Sequence, residues 1–273
     1  MANEGSTSLN RAIDILIALG SPAGTTQRGC GVGEVARMVD REKSQVSRTL
    51  KTLAEAGLVD RDPETLGYRL GWRLFTLAES AGNQRLTAVA PAVLRTLVAR
   101  LGERAHLTVL QGDHVMTVLS EQPSARIQVA DWVGRCSPVN STSSGRALLM
   151  QHSDHEVREL LADVQFVASG PGAPRDVDDL LARLHQARLR GYVLTDEEFE
   201  PGLVAAAAPV LDARRRIVAA VNISAPKFRL GKGLNAAGRQ VKAAADHLSR
   251  LLAAPAGTSA PFDPQHGRDH RAG

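Results

Sequence analysis

Residues 43–59 read KSQVSRTLKTLAEAGLV. Apolar residues recur at steps of three and four: Val46, Leu50, Leu53, Ala54 and Leu58. This is the period of a helix with one apolar side. The other side holds Lys43, Ser44, Gln45, Ser47, Arg48 and Lys51, all basic or able to hydrogen-bond. Gly57 suits the C-cap. The reading of this second side, as a wet surface or as a surface that grips something, decides the N-terminal fold.

The neighbours narrow it. Upstream, SLNRAIDILIAL (8–19) predicts a helix with Leu9, Ala12, Ile13, Leu16 and Ile17 on one stripe and Ser8 as N-cap. VGEVARMV (32–39) predicts a short helix with Val32, Val35, Ala36 and Val39 inward, followed by the tight turn DREK. Downstream, LVDRDPETLGYRL (58–70) places apolar residues on either side of a polar turn with Asp62, Pro63 and Gly67, the signature of a hairpin. Helix, helix, tight turn, helix and hairpin in this order make a winged helix-turn-helix. Three helices share one small core, and the third keeps an outer face with nothing to pack on.

A helix in that position fits the DNA major groove. Ser44, Gln45, Ser47 and Arg48 are placed to reach base edges, and Lys43 and Lys51 to neutralise phosphates. Arg61 and Arg69 flank the hairpin and are candidates for backbone or minor-groove contact, or are ordinary surface arginines. The charge supports a local anionic partner. The chain is formally +4, yet residues 1–82 hold ten Lys/Arg and ten Asp/Glu. Within residues 41–51, Arg41, Lys43, Arg48 and Lys51 face Glu42 alone.

The remainder, of the 273 residues, predicts a second domain. WRLFTLA (72–78) carries Leu74, Phe75, Leu77 and Ala78 as a linker helix, and Leu86, Val89, Val93, Leu97 and Leu101 mark the next helix, with Pro91 at a kink or first turn. RAHLTVLQGDHVMTVLSE (104–121) holds two β-rich runs around Gly112-Asp113. ARIQVADWVG and SPVNS predict short strands, and YVLTDEE, GLVAAAAPVLD and RIVAAVNISAP three more. SSGRALLMQ, DHEVRELLADV, DVDDLLARLHQARLRG and GLNAAGRQVKAAADHLSRLLAA predict helices. The sum is an α+β domain on a mainly antiparallel sheet. The tail from Pro255 is polar and rich in Pro and Gly, and disorder is expected there. The boundaries read as 1–70 for the winged helix, 71–83 for the linker helix, 84–254 for the second domain and 255–273 for the tail.

Several classes are disfavoured. No apolar run approaches the roughly 18 residues that cross a bilayer. The N-terminus lacks the basic flank and apolar core of a signal peptide, so a cytoplasmic protein is expected. Cys30 and Cys136 are too few for a disulfide framework or a four-ligand zinc site. His106 and His114 flank a hairpin without a carboxylate or Cys at ligand spacing, so both read as structural. No cofactor or metal is called for. The G-x-S-x-G elbow is missing and no His/Asp partner for a serine can be assigned, so no catalytic residue is expected. An enzyme built on the second domain stays the alternative, with paired acids in TDEE (195–198) as its weak candidate. A winged helix used for protein contacts is a third reading.

Two stretches stay open on spacing alone. STSSGRALL (141–149) fits either an anion site with Ser143 and Ser144 or a plain N-cap. In AVNISAP (220–226), Asn222 and Ser224 share one strand face, toward a pocket or toward water.

SLNRAIDILIAL, VGEVARMV with KSQVSRTLKTLAEAGLV, SSGRALL, GYVLTDEEFEPGLVAAAAPV and AAVNISAP together resemble the IclR-type bacterial transcriptional regulators, over residues 8–252. The resemblance implies a winged helix, a linker helix and a GAF-like effector-binding domain. It also implies homodimers, or dimers of dimers, on double-stranded palindromic operators, with small organic acids or aromatic metabolites as effectors. By motif, the implied pocket takes Ser143 and Ser144, Thr195 and Asp196, Ala205, and Asn222 with Ser224; Trp132 is expected as a wall. Asn222 stands where Ser is common, Ala205 where some members carry Cys, and Arg146 where Lys is common. A ligand different from the family's best-known ones is therefore expected.

Overall fold

A computed structural model describes residues 4–254, apart from 22, 27, 81–83, 124–131 and 168. The chain divides into two compact units, Met1–Gln84 and Arg85–Gly273.

The N-terminal unit has helices α1 (Glu4–Gly20), α2 (Val32–Met38) and α3 (Lys43–Glu55), strands β1 (Val59–Arg61) and β2 (Tyr68–Leu70), and helix α4 (Trp72–Ser80). Its core joins Ile15 and Leu19 of α1 to Val35 and Ala36 of α2, Val46, Leu50 and Leu53 of α3, and Val59 and Tyr68 of the hairpin. Asp40 takes φ +49 in the turn between α2 and α3, a left-handed conformation that Asp tolerates. The hairpin pairs Val59 with Leu70 and Arg61 with Tyr68.

Two expectations for α1 need correction. Ser8 lies inside the helix, because α1 begins at Glu4. The stripe that faces the core is Ile15 and Leu19, with Ala12 and Leu16 at its edge. Leu9, Ile13 and Ile17 point outward, Ile17 at 67% exposure. The helix is apolar on more than one side, so periodicity alone selects the wrong stripe. Helix α4 likewise exposes Trp72, Phe75 and Leu77.

The C-terminal unit opens with α5 (Gln84–Leu101), which carries Pro91 within it. Strands β3 (Arg104–Gln111), β4 (His114–Glu121) and β5 (Cys136–Pro138) follow, then helices α6 (Ser143–Leu148), α7 (Asp154–Leu160) and α8 (Val177–Arg190). Strands β6 (Val193–Asp196), β7 (Leu203–Leu211) and β8 (Ile217–Pro226) lead to α9 (Lys227–Leu230) and α10 (Leu234–Ala253). The six strands form one antiparallel sheet in the order β5-β4-β3-β8-β7-β6. Gly112 turns the β3–β4 hairpin at φ +59. Of the expected strand at 125–134, residues 125–131 lie outside the described residues, and 132–134 form no strand. The tail 255–273 also lies outside them.

The sheet has two different faces. On one, Ala105, Leu107, Ala206, Ala208, Val221 and Ile223 meet α5 and α10 in a dry core. On the other, Ala207 and Ala220 meet the apolar sides of α6, α7 and α8. The alanine run Ala205–Ala208 lets helices approach β7 from both sides. The second face is only partly covered, and the part left open is the cavity described next.

Candidate functional site

Two surfaces fit the residues singled out in the sequence. The first is the outer face of α3. Val46, Leu50 and Leu53 are buried, so Lys43, Ser44, Ser47, Arg48 and Lys51 are exposed and Gln45 half-buried. Ser44 donates from Oγ to Glu42 Oε2 at 2.6 Å, so part of its hydrogen-bonding capacity is already engaged. Lys51 Nζ stands 4.0 Å from Glu55, a loose surface pair that contributes little. On the hairpin, the Arg61 guanidinium lies 5.5 Å from the Tyr68 ring centre. Arg69 pairs with Asp62 at 3.0 Å. Both arginines are exposed.

The second surface is a cavity of about 450 Å³ on the open sheet face. Strand register explains its lining. His106 pairs with Asn222, Arg104 with Ser224, Ala205 with Ser224, and Thr195 with Ala205. These residues alternate with the dry-core residues and so share the opposite face. Thr108 and Thr117 pair at a bulge in β3–β4 and add hydroxyls. Thr108 and Thr195 donate to the carbonyls of Ala220 and Ala205, and each hydroxyl oxygen keeps the capacity to accept. Trp132 closes one side, edge-on to His106 with ring centres 6.3 Å apart.

Helix α6 shows why the SSGR stretch reads as it does. Thr142 is the N-cap: its Oγ1 accepts from Gly145 N at 3.1 Å and donates to Pro138 O at 3.0 Å. Ser143 and Ser144 are therefore free of capping duty and line the cavity. Ser143 is 2% exposed, and its Oγ has no hydrogen-bond partner among the described residues. The Asn222 Oδ1 has none among them either. A buried polar atom without a partner costs free energy, so these two atoms mark places for a ligand or water. Gly145 presses on Val139: a Cβ there would lie 2.0 Å from the Val139 carbonyl oxygen. Only glycine lets α6 sit this deep.

One turn further along α6, Arg146 is 1% exposed and stands 2.7 Å from Glu198, itself 7% exposed. Arg183 of α8 reaches the same carboxylate at 3.2 Å and also pairs with Asp179. Burial pushes the Glu198 carboxyl up, and the two guanidiniums oppose this. Burial pushes Arg146 down, opposed by Glu198. Arg146 keeps its charge, because a guanidinium does not give up its proton in proteins. It ties α6 to the loop carrying Phe199 and Glu200, both of which line the cavity.

Of the pocket residues named from the sequence, Trp132, Ser143, Ser144, Thr195, Ala205, Asn222 and Ser224 all line this one cavity. Asp196 does not; its carboxylate is exposed and lies 2.9 Å from Lys227 Nζ. Sequence reasoning missed Glu103, Arg104, His106 as a lining residue, Thr108 and Arg229. The alternation Arg104, His106, Thr108 was a usable signal on β3; Glu103 and Arg229 had none. Of the TDEE acids, Glu197 pairs with Lys227 and Glu198 with Arg146 and Arg183, so neither forms an acid–base couple. His106 and His114 pair with Ser120 and Gln111 across the hairpin, not with each other. No group of residues able to hold a metal ion occurs among those described.

Comparison with known proteins extends this picture. The IclR helix-turn-helix domain matches residues 8–63. The C-terminal domain of the bacterial transcriptional regulator IclR matches residues 78–250. The HTH-type transcriptional regulator KdgR of Dickeya chrysanthemi is 31% identical, over 83% of this chain and 73% of its own. The crystal structure of an IclR transcriptional regulator from Alicyclobacillus acidocaldarius is similar at TM-score 0.71 and 25% identity, covering 90% of this chain and 98% of that one. An IclR homolog from Microbacterium hydrocarbonoxydans, complexed with 4-hydroxybenzoate, is similar in fold at TM-score 0.74 and 22% identity, covering 90% and 98%.

Proposed function

This chain belongs to the IclR family of bacterial transcriptional regulators, and on that premise we propose that it reads a palindromic operator as a homodimer and answers to a small carboxylate or aromatic effector. It is a DNA-binding regulator and not an enzyme. The observation that carries the finer reading is the pair of bare polar faces: the outer face of α3 and the 450 Å³ cavity.

On DNA, Ser44, Gln45, Ser47 and Arg48 meet base edges, Lys43 and Lys51 meet phosphates, and Arg61 and Arg69 flank them from the hairpin. Residues 1–70 form the reading domain, 71–83 the linker and 84–254 the sensing domain. Two copies are needed because a palindrome presents two half-sites. The apolar side chains left exposed on α1 and α4, Leu9, Ile13, Ile17, Trp72, Phe75 and Leu77, support burial against a second copy. Such dimers act singly or pair into dimers of dimers. Among the described residues no helix is long and apolar enough to cross a membrane; a DNA partner supports a cytoplasmic location.

In the cavity, Ser143, Ser144, Thr195, Asn222 and Ser224 offer donors and acceptors, while Trp132 and Ala205 supply apolar walls. Its volume lies within the range of roughly 300–1,000 Å³ of small-molecule pockets. The effector acts by population shift: it moves the oligomer toward one DNA-binding state only as far as its affinities for the two states differ.

The test is a gel-shift titration on the DNA upstream of the coding sequence and its neighbours, with and without a panel of small carboxylates and aromatic acids. The expected result is a sequence-specific complex whose affinity one class of acid changes. Binding that is equal on random DNA would overturn the reading.

A further inference from the structure

The basic face of α3 opens on an acid. Glu42 is the N-cap residue, exposed, with Arg41 and Lys43 on either side. An oxygen-bearing side chain at an N-cap ordinarily accepts from the first backbone N–H groups of its helix. The Glu42 side chain makes no such bond. Among the described residues it forms no ion pair with its cationic neighbours either. Its Oε2 accepts from the Ser44 hydroxyl at 2.6 Å, and its Oε1 has no hydrogen-bond partner among them.

That bond has a direction. A carboxylate only accepts, so the Ser44 proton points at Glu42. Ser44 then offers its lone pairs outward, and Glu42 offers its bare Oε1. The two side chains make a patch of acceptors at the head of a helix whose other exposed charges, Lys43, Arg48 and Lys51, are donors.

The first turn of a recognition helix is the part that meets base edges. A patch of acceptors is selective there. Guanine shows it two acceptors, and thymine an acceptor and a methyl. Adenine shows an amino group beside the acceptor N7, which repels a carboxylate. Cytosine shows the N4 amino group with no acceptor beside it. We infer that Glu42 and Ser44 act as one reader, which selects cytosine at one base pair of each half-site. The inference rests on the outer face of α3 being the one that meets bases. Arg41 and Lys43 lie beside Glu42 in the chain and offset its repulsion from the phosphates.

The experiment selects bound sequences from a random double-stranded library, using the full-chain protein and its Glu42→Gln, Ser44→Ala and Arg48→Ala variants. Each is then titrated on the selected site and on its single base-pair changes. Wild type should favour C·G at one position of the half-site by about tenfold. Glu42→Gln should lose that preference, because an amide donates as well as accepts. Ser44→Ala should relax the same base pair and no other. Glu42→Gln should also bind random DNA more tightly than wild type, since a negative charge has left the interface. A residue serving only the helix dipole would act otherwise: its loss would lower the melting temperature and weaken every sequence alike. That outcome overturns the inference. So does adenine as the wild-type choice at the base pair that Glu42→Gln relaxes. Relaxation by Ser44→Ala at a different base pair shows that the two do not read together and overturns it too. Unchanged preferences in Glu42→Gln, with altered ones in Arg48→Ala, overturn the reader and leave the rest of the face intact. If Arg48→Ala alters nothing as well, the base-reading role of α3 falls with it.

Discussion

Helix α3 and strand β8 each carry apolar residues on one side and polar residues on the other. On α3 the period is that of a helix, with Val46, Leu50 and Leu53 inward. On β8 the period is two, with Val221 and Ile223 inward. The polar sides differ in their surroundings. That of α3 faces solvent and holds unburied Lys43, Arg48 and Lys51. That of β8 faces a cavity and holds Asn222 and Ser224, which are neutral. Around that cavity each covered charge has a partner of opposite sign, Arg146 and Glu198 each other and Glu103 the half-exposed Arg229. Water screens and solvates a charge on an open helix at no structural cost. An enclosed face admits a charge only with its partner in place. The same alternation of apolar and polar residues thus gives an open basic face in one unit and an enclosed, largely neutral face in the other.

The sharpest way to break this contrast is to remove one charge from each region. Arg146→Met should destabilise the C-terminal unit by about 3–5 kcal/mol, because Glu198 loses its closest cation. Chemical denaturation would show it, and the double variant Arg146→Met with Glu198→Leu should recover most of the loss. A single variant as stable as wild type would show that the enclosed charge does not depend on its pair. Next in size is the apolar side of β8. Ile223→Ala should cost about 2–5 kcal/mol by emptying a fully buried site. Ser224→Ala, one residue along, should change stability little and ligand affinity instead.

Arg48→Ala on the open face should leave the melting temperature in place. It should weaken operator binding by about 1–3 kcal/mol and relax sequence preference at one base pair. Lys51→Ala should lower affinity on every sequence alike and flatten the salt dependence. Binding titrations at several salt concentrations separate the two, and identical effects would remove the distinction between base reading and phosphate contact. The smallest effect concerns acid. The Arg183 guanidinium holds Asp179 down to about 2. A carboxyl lowered on folding adds stability above its unfolded value of 3.8 and loses it as pH falls toward 2. Thermal melts between pH 5 and pH 2 should fall more steeply in wild type than in Asp179→Asn.

The contrast also marks what a sequence reveals. The α3 face was legible because period and neighbours agree, and an open face asks nothing of distant residues. The face of β8 was legible as alternation, but its fate was not. Whether Asn222 meets water or a cavity depends on α6 and on β3, far away along the chain. The roles of Glu198 and Glu103 were invisible for the same reason: each is set by an arginine brought in by topology, Arg146 and Arg229. On α1 the failure had another cause. Ile15, Leu19, Ile13 and Ile17 spread around the helix, so the hydrophobic pattern does not say which stripe the fold will bury.

Gly145 carries a consequence for the response to a ligand. With the Val139 carbonyl oxygen 2.0 Å from the place a methyl would occupy, no other residue fits without pushing α6 outward. The first groups displaced would be the hydroxyls of Ser143 and Ser144, while the reading helix, in a separate compact unit, would keep its sequence and its core. On the proposed role of the cavity, Gly145→Ala should therefore leave operator binding in place and weaken the response to a small-molecule effector, which gel shifts with and without ligand would check.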